Sequence, residues 1–154
     1  MSKLGFSKRD NYSRCKNSAI YSLAMREHSR LEIKNKLKKK DFSENVDIEV
    51  LLDELENNNY LNEERFTESF IRYRSSRGQG PIKISSELSV RGITQVQISN
   101  AMQNAEIDWY GGASEQREKK FGLQLPLEFK EKSRQMRFLM GRGFNHDMVN
   151  KAIR

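Results

Sequence analysis

Leu37, Leu88 and Leu139 recur at a spacing of 51 residues. Five positions after each stands a large apolar residue: Phe42, Ile93 and Phe144. Gly92 and Gly143 precede the second and third of these, and Asp41 takes that place in the first. Beyond this turn a further pattern is shared. It reads Ile48, Leu51, Leu52, Leu55, then Ile98, Ala101, Met102, Ala105, then Val149, Ala152, Ile153. Its steps of three, four and seven trace one face of an α-helix. The first copy carries one extra residue in the turn. A period of this length marks a supersecondary unit duplicated in tandem.

Each unit reads as three helices. In the first, Ala19, Leu23 and Ala24 predict a helix over about 17–27. Ser29 and Glu32 form a capping box, in which the hydroxyl accepts from an unpaired amide and the carboxylate reaches back. The second helix runs to about Lys39 with Ile33 and Leu37 inward, and Ser43 is placed to cap the third, which ends at Asn57–Asn59. In the second unit Asn62 caps a helix to about Ser76, whose inward stripe is Phe66, Phe70 and Tyr73. Gly78-Gln79-Gly80 breaks the chain, and Pro81 suits a first helical position because its missing N–H would be unpaired there. Gly92 supplies a left-handed stop, and Thr94 with Gln97 makes a second capping box. In the third unit a weakly amphipathic helix runs from Trp109 to about Gly122. Pro126 restarts a helix to about Arg142, Gly143 stops it, and Asn145 caps the last.

No period-2 run reads as a strand. The expected fold is therefore all-α: three tandem three-helix, helix-turn-helix-like repeats, stacked into an elongated, curved body. The expected boundaries are a mobile basic tail over 1–16 and repeats over 17–60, 61–108 and 109–154. A body of that shape suits an extended partner rather than a small molecule.

Composition narrows the function. The chain has 154 residues and a net charge of +7. No apolar run approaches the roughly 18 residues a membrane span needs. The first residues, Met1–Lys16, are polar and basic and do not resemble a secretory signal. Cys15 is the lone cysteine, which suits a reducing cytoplasm and excludes a thiolate zinc site. It lies in the polar leader and reads as incidental rather than nucleophilic. His28 and His146 stand in different repeats, without a second ligand in reach, and read as polar residues at helix starts. Gly78-Gln79-Gly80-Pro81 lacks the preceding strand and the Gly-Lys-Ser/Thr ending of a phosphate loop. No catalytic, metal or cofactor site is expected.

The charge lies in blocks. Residues 1–40 carry +9, residues 41–64 carry −9, residues 65–98 carry +4 and residues 99–154 carry +3. Such blocks read either as solvated helix faces or as a surface for an anionic partner, nucleic acid or a protein coated on it. A protein that only grips phosphate has little use for nine clustered carboxylates. The acidic run Asp53-Glu54-Leu55-Glu56 itself reads as a solvated helix face. Two basic groups are candidates for contact. Lys34, Lys36, Lys38, Lys39 and Lys40 end the second helix, where cations also suit the helix dipole. Arg65, Arg72, Arg74, Arg77, Lys83 and Arg91 are nearly all arginine, whose planar fork pairs bidentately with carboxylate or phosphate. Salt bridges to Glu68 and Glu87 are the structural alternative for this second group.

These residues also resemble a known family. Arg26-Glu27-His28-Ser29-Arg30 with Glu32-Ile33 and Leu37 resembles the start of the RecX family of regulatory proteins. Tyr60-Leu61-Asn62-Glu63-Glu64-Arg65-Phe66 resembles its central element, and Gly78-Gln79-Gly80-Pro81, Ile84, Glu87-Leu88 and Arg91-Gly92-Ile93 its most characteristic stretch. Leu139 to Phe144 and the last helix are similar to its C-terminal end, so the resemblance covers about residues 17–154. Asn59 stands where the family usually has Gly, Asn62 where it has Asp, and Asp41 where the turn has Gly. Asn tolerates left-handed backbone and caps helices, so the local chemistry is kept.

The resemblance implies three tandem three-helix repeats and a modulator, mostly an inhibitor, of the RecA recombinase. Such a protein lies in the groove of the RecA filament on single-stranded DNA and lowers ATPase, strand exchange and repressor cleavage. The implied partners are that filament and single-stranded DNA, with duplex DNA as a further candidate; apart from the resemblance, the lone cysteine and the missing catalytic motifs make a cytoplasmic protein that is not an enzyme the expectation, and a monomer is expected. Within that frame, charge and position make Arg72, Arg74, Arg77, Lys83 and Arg91 the expected main contacts. Lys36, Lys39 and Lys40 add steering, and Arg65 belongs to the same candidate set. One rival is a stand-alone DNA-binding module of helix-turn-helix-like units, and another is a scaffold between proteins.

Overall fold

The computed structural model describes residues 7–154. Among them lie nine α-helices, one 3-10 turn and no strand. The helices are α1 (Lys8–Met25), α2 (Arg30–Lys38), α3 (Ile48–Asn57), α4 (Glu63–Ser76), α5 (Pro81–Val90), α6 (Gln95–Ala105), α7 (Trp109–Phe121), α8 (Phe129–Gly141) and α9 (His146–Ala152). The positions that repeat in sequence repeat in burial. Leu37, Leu88 and Leu139 are all buried, as are Ile93 and Phe144, and Phe42 is half-buried. Two compact units result. One contains the chain up to Thr67 together with Arg91–Ile93, and the other contains Glu68–Val90 and Thr94–Arg154.

In the first unit α1, α2 and α3 close over Cys15, Ala19, Ile33, Leu37, Leu51, Leu52, Leu55 and Leu61. The first helix corrects the sequence reading. It begins at Lys8, where a mobile tail over 1–16 and a helix from about 17 were expected. Ser7 and Asp10 make a capping box that releases the chain straight into the helix, and Cys15 is wholly buried rather than set in a leader. The part of the expected tail before Ser7 lies outside the described residues. The Ser29–Glu32 capping box opens α2 as expected. Ser43 does not cap α3. It sits in a 3-10 turn, Asp41–Ser43, and its hydroxyl donates to the Lys40 carbonyl at 2.7 Å, while the α3 cap is the Asp47 side chain. Asn59 adopts φ +63, the left-handed backbone that its residue type tolerates.

In the second unit Ile71, Ile84, Leu88, Ile98 and Ala101 are buried on α4, α5 and α6. The stripe read for α4 is only partly realised, because Tyr73 is 59% exposed and Ile71 points inward instead. The Thr94–Gln97 capping box opens α6 as expected. Helices α7, α8 and α9 close over Ala113, Leu139, Phe144, Met148, Val149, Ala152 and Ile153. Pro126 does not start α8. It is buried in a non-helical strap, and α8 begins at Phe129.

The glycine turn before α5 has a packing cause. The Gly80 amide donates to the Arg142 carbonyl at 2.8 Å, and the Ile82 amide donates to the Gly143 carbonyl at 2.9 Å. A Cβ on Gly80 would overlap the Gly143 carbonyl carbon. The turn that opens α5 and the turn that closes α8 thus touch backbone to backbone, which only glycine permits.

Candidate basic docking surface

The sequence-selected cations fall into two physical classes. Arg65, Arg74 and Arg91 are engaged by carboxylates of their own chain. Arg65 Nε donates to Glu27 Oε2 at 2.8 Å and Arg65 Nη2 to the Asn59 carbonyl at 3.0 Å, so it closes the end of α3. Arg74 pairs with Glu87 and lies 4.5 Å over the Phe70 ring. Arg91 Nε stands 3.5 Å from Glu32 Oε2, the carboxylate that completes the α2 capping box.

The others face solvent more freely. Arg72 on α4 and Arg77 in the turn just past its end are exposed, and neither side chain has an ion-pair partner among the described residues. The Arg77 guanidinium lies 5.8 Å from the exposed Tyr73 ring. Residues 72, 73 and 76 lie on the exposed side of the last turn of α4 and Arg77 follows beside Tyr73, so two arginine forks, a hydroxyl and an aromatic ring are displayed together. Lys83 is half-buried, its backbone pressed on Gly143, and its ammonium has no ion-pair partner among the described residues. In the first unit Lys39 and Lys40 are exposed and likewise unpaired among the described residues.

Lys36 has a more particular neighbour. Its Nζ stands 3.1 Å from His28 Nε2, and His28 Nδ1 stands 3.0 Å from the Arg26 carbonyl. An ammonium can only donate, so Nε2 accepts and Nδ1 carries the proton. Burial pushes the imidazole pKa down, and the neighbouring cations Arg26 and Lys36 lower it further. His28 stands at a helix start as expected, just before the α2 cap Ser29, but it is buried there.

The acidic block is largely consumed internally. Arg30 pairs with Glu49, Asp53 and Glu56. Lys34 takes Glu49 as well, while Lys16 and the Tyr12 hydroxyl take Glu54. Lys34, then Arg30, hold the Glu49 carboxyl down to about 2. Burial opposes the charge on Arg30, yet hydrogen bonds from its three carboxylates raise its pKa above the ordinary value. The run Asp53-Glu54-Leu55-Glu56 is thus an ion-pair network across α1, α2 and α3, where a solvated face was expected.

The sequence reading missed Arg117. It is 2% exposed on α7, and its Nη1 and Nη2 donate to the carbonyls of Gln124 and Leu123 at 3.2 and 3.3 Å. Its signal was present: Arg117 falls four residues from both Ala113 and Phe121, at an inward position. Among the described residues no three His, Cys, Asp or Glu side chains gather as a metal site. No helix among them is long and apolar enough to cross a membrane.

Comparison with known proteins gives these features a context. Three family models match in order: the first three-helix domain of RecX over residues 15–55, the second over 62–102 and the third over 107–153. The regulatory protein RecX of Pseudomonas putida strain GB-1 is 38% identical over 138 residues, covering 90% of this chain and 88% of that protein. The RecX of Halorhodospira halophila is 38% identical over 137 residues, covering 89% and 84%. The crystal structure of RecX from Lactobacillus salivarius superposes with a TM-score of 0.74 at 20% identity, over 94% of this chain and 96% of that one. A second RecX crystal structure gives 0.79 at 18% identity, over 97% and 80%. The fold, the order of its three domains and the identity along nine-tenths of its length make this chain a member of the RecX family of regulatory proteins.

Proposed function

We propose that this protein binds the RecA filament on single-stranded DNA and lowers its ATPase, strand-exchange and repressor-cleavage activities. It acts in the cytoplasm, without catalysis of its own. The observation that carries this reading is the exposed face of α4, with Arg72 and Arg77 unpaired among the described residues beside Tyr73. A nucleoprotein filament offers carboxylates and phosphates in repeating array, and planar arginine forks suit both. Many modest contacts along a repeating partner add avidity. Lys36, Lys39, Lys40 and Lys83 supply diffuse attraction, and Arg65, Arg74 and Arg91 hold the scaffold as well as charge.

A second reading has an observation of its own. An exposed tyrosine flanked by arginines is also a platform for unstacked bases, which favours direct binding of single-stranded DNA. Titrating the protein into a RecA ATPase assay, at levels well below the recombinase, separates the two. Inhibition at substoichiometric levels supports action on the filament. Inhibition only once the DNA is saturated assigns the effect to competition for DNA.

A further inference from the structure

Between α7 and α8 the chain displays apolar side chains to solvent. Leu123 is 81% exposed, Leu127 82% and Phe129 86%, with Leu125 at 41%. Exposed apolar groups gathered on one segment mark an interaction surface rather than chance exposure. The strap that carries them is anchored. The buried Arg117 guanidinium donates to the carbonyls of Leu123 and Gln124, and Pro126 is buried midway along the strap. The outward leucines are therefore held in place rather than left loose. Along the strap runs an open groove of about 400 Å³. Phe121, Leu125, Pro126 and Leu127 line it together with the carboxylates of Glu128 and Glu131, and no cation among the described residues does. Its occupant must bring apolar side chains and positive charge together.

The strap and the start of α8 have that composition themselves. Lys130 and Lys132 follow Phe129, are exposed, and have no ion-pair partner among the described residues. Cations at a helix N-terminus oppose the macrodipole, so α8 gains nothing from them. Glu128 is exposed as well, and its side chain makes no cap bond to α8. Glu131 is held by Arg134 and Gln135. Along Glu128, Lys130, Glu131 and Lys132 the charge alternates in sign. Alternating charge beside apolar side chains is complementary to itself. In a two-fold contact each surface meets its own copy, so Glu128 of one chain can face Lys130 of the other with Phe129 on Phe129 at the axis. The net charge of +7 drives two copies apart elsewhere, which favours a patch that carries both signs. The four side chains expose on the order of a few hundred Å² on each copy, below the roughly 800 Å² per partner of a standard interface. A weak, reversible contact with a Kd of roughly 10–100 μM fits that size.

We propose that the 122–129 strap is the contact of a weak two-fold dimer, in which the leucines of a second copy enter the groove and its lysines meet Glu128 and Glu131. The dimer stands apart from the filament reading and puts a reversible equilibrium in place of the expected monomer. Sedimentation equilibrium of the full chain without nucleic acid reads it, and a concentration-dependent monomer–dimer equilibrium is expected. The folded variant L123S/L127S/F129S, checked by circular dichroism, should dimerise about ten-fold more weakly or worse. Glu128→Lys and Lys130→Glu each set like charges opposite one another and should each weaken the dimer about ten-fold. Joined in one chain, E128K/K130E should restore it, which general apolar adhesion would not do. Photoreactive benzoylphenylalanine at position 129 should crosslink to the strap of the second copy. A chain still monomeric at about 1 mM overturns the proposal. So does a dimer that keeps its affinity in the serine variant, or a crosslink elsewhere on the second copy. Single charge variants that dimerise as well as the wild type, or a combined variant that stays weak, overturn it too, because the two-fold pairing of Glu128 with Lys130 is then absent.

Discussion

The phenol of Tyr12 donates a hydrogen bond to Glu54 Oε1 at 2.6 Å and so fastens the first helix to the third. Burial, then the bond and charge of Glu54, push the Tyr12 pKa up to about 12. The folded state thus favours the neutral phenol. Its contribution is complete below the ordinary value of 10.0 and is lost as the pH rises towards about 12. Tyr12→Phe is expected to lower Tm by roughly 2–4 °C at neutral pH. It should also flatten the loss of stability in that alkaline window. Thermal melts of both proteins from neutral to alkaline pH check this, and superimposable curves would contradict it.

Arg30 gathers Glu49, Asp53 and Glu56 against one guanidinium. Lys34 and Arg30 hold Glu49 at about 2, below its ordinary 4.5. Depressed carboxylates stabilise the fold above the ordinary value and lose that contribution as the pH falls through the depressed one. Arg30→Ala should raise the Glu49 pKa towards 4.5 and move acid unfolding to higher pH. Side-chain NMR titration of Glu49 in both proteins measures it, and an unmoved pKa would mean that Lys34 alone sets the value.

Cys15 is fully buried, and burial pushes its thiol pKa up. A thiol in that state reacts only through opening of the first unit. Modification by a disulfide reagent in the native protein is expected to be about 100-fold or more slower than in denaturant. Comparable rates would put Cys15 back on the surface.

Gly80→Ala drives a Cβ into the Gly143 carbonyl carbon, where backbone cannot yield cheaply. A loss of about 2 kcal/mol is expected, at the upper part of the usual range for overpacking. Urea unfolding of the variant reads it directly. A loss below about 0.5 kcal/mol would show that the two turns separate without cost.

Much of the fold is legible in the residues because helices announce themselves locally. The Leu37, Leu88, Leu139 register and the capping boxes at Ser29 and Thr94 depend on neighbours three or four positions away, and all reappear in the structure. Two features escaped for opposite reasons. The stretch Lys8–Lys16 is so polar that its apolar contribution reduces to Tyr12 and Cys15, too few to reveal a period. Tyr73 lies near the spacing that buries Phe66, but α4 turns Ile71 inward instead, a choice made by tertiary packing. The basic surface was legible only as composition. Arginines 65, 74 and 91 look like 72 and 77 in sequence, and only the folded chain brings Glu27, Glu87 and Glu32 to the first three.

That difference makes the α4 face testable. Arg72→Glu with Arg77→Glu removes the two forks without breaking an ion pair among the described residues, so stability should change little. Inhibition of the recombinase is expected to weaken about ten-fold, because reversal replaces attraction by repulsion at both positions. A folded double variant that inhibits as well as the wild type would remove α4 from the contact.

The most direct test of the filament reading is the DNA-dependent ATPase of the cognate RecA on single-stranded DNA, with this protein titrated far below the recombinase. Its own binding to the same DNA is measured at the same salt. Strong inhibition while the DNA is almost free of this protein is the predicted result. Inhibition that tracks occupancy of the DNA, or none at all, would contradict it.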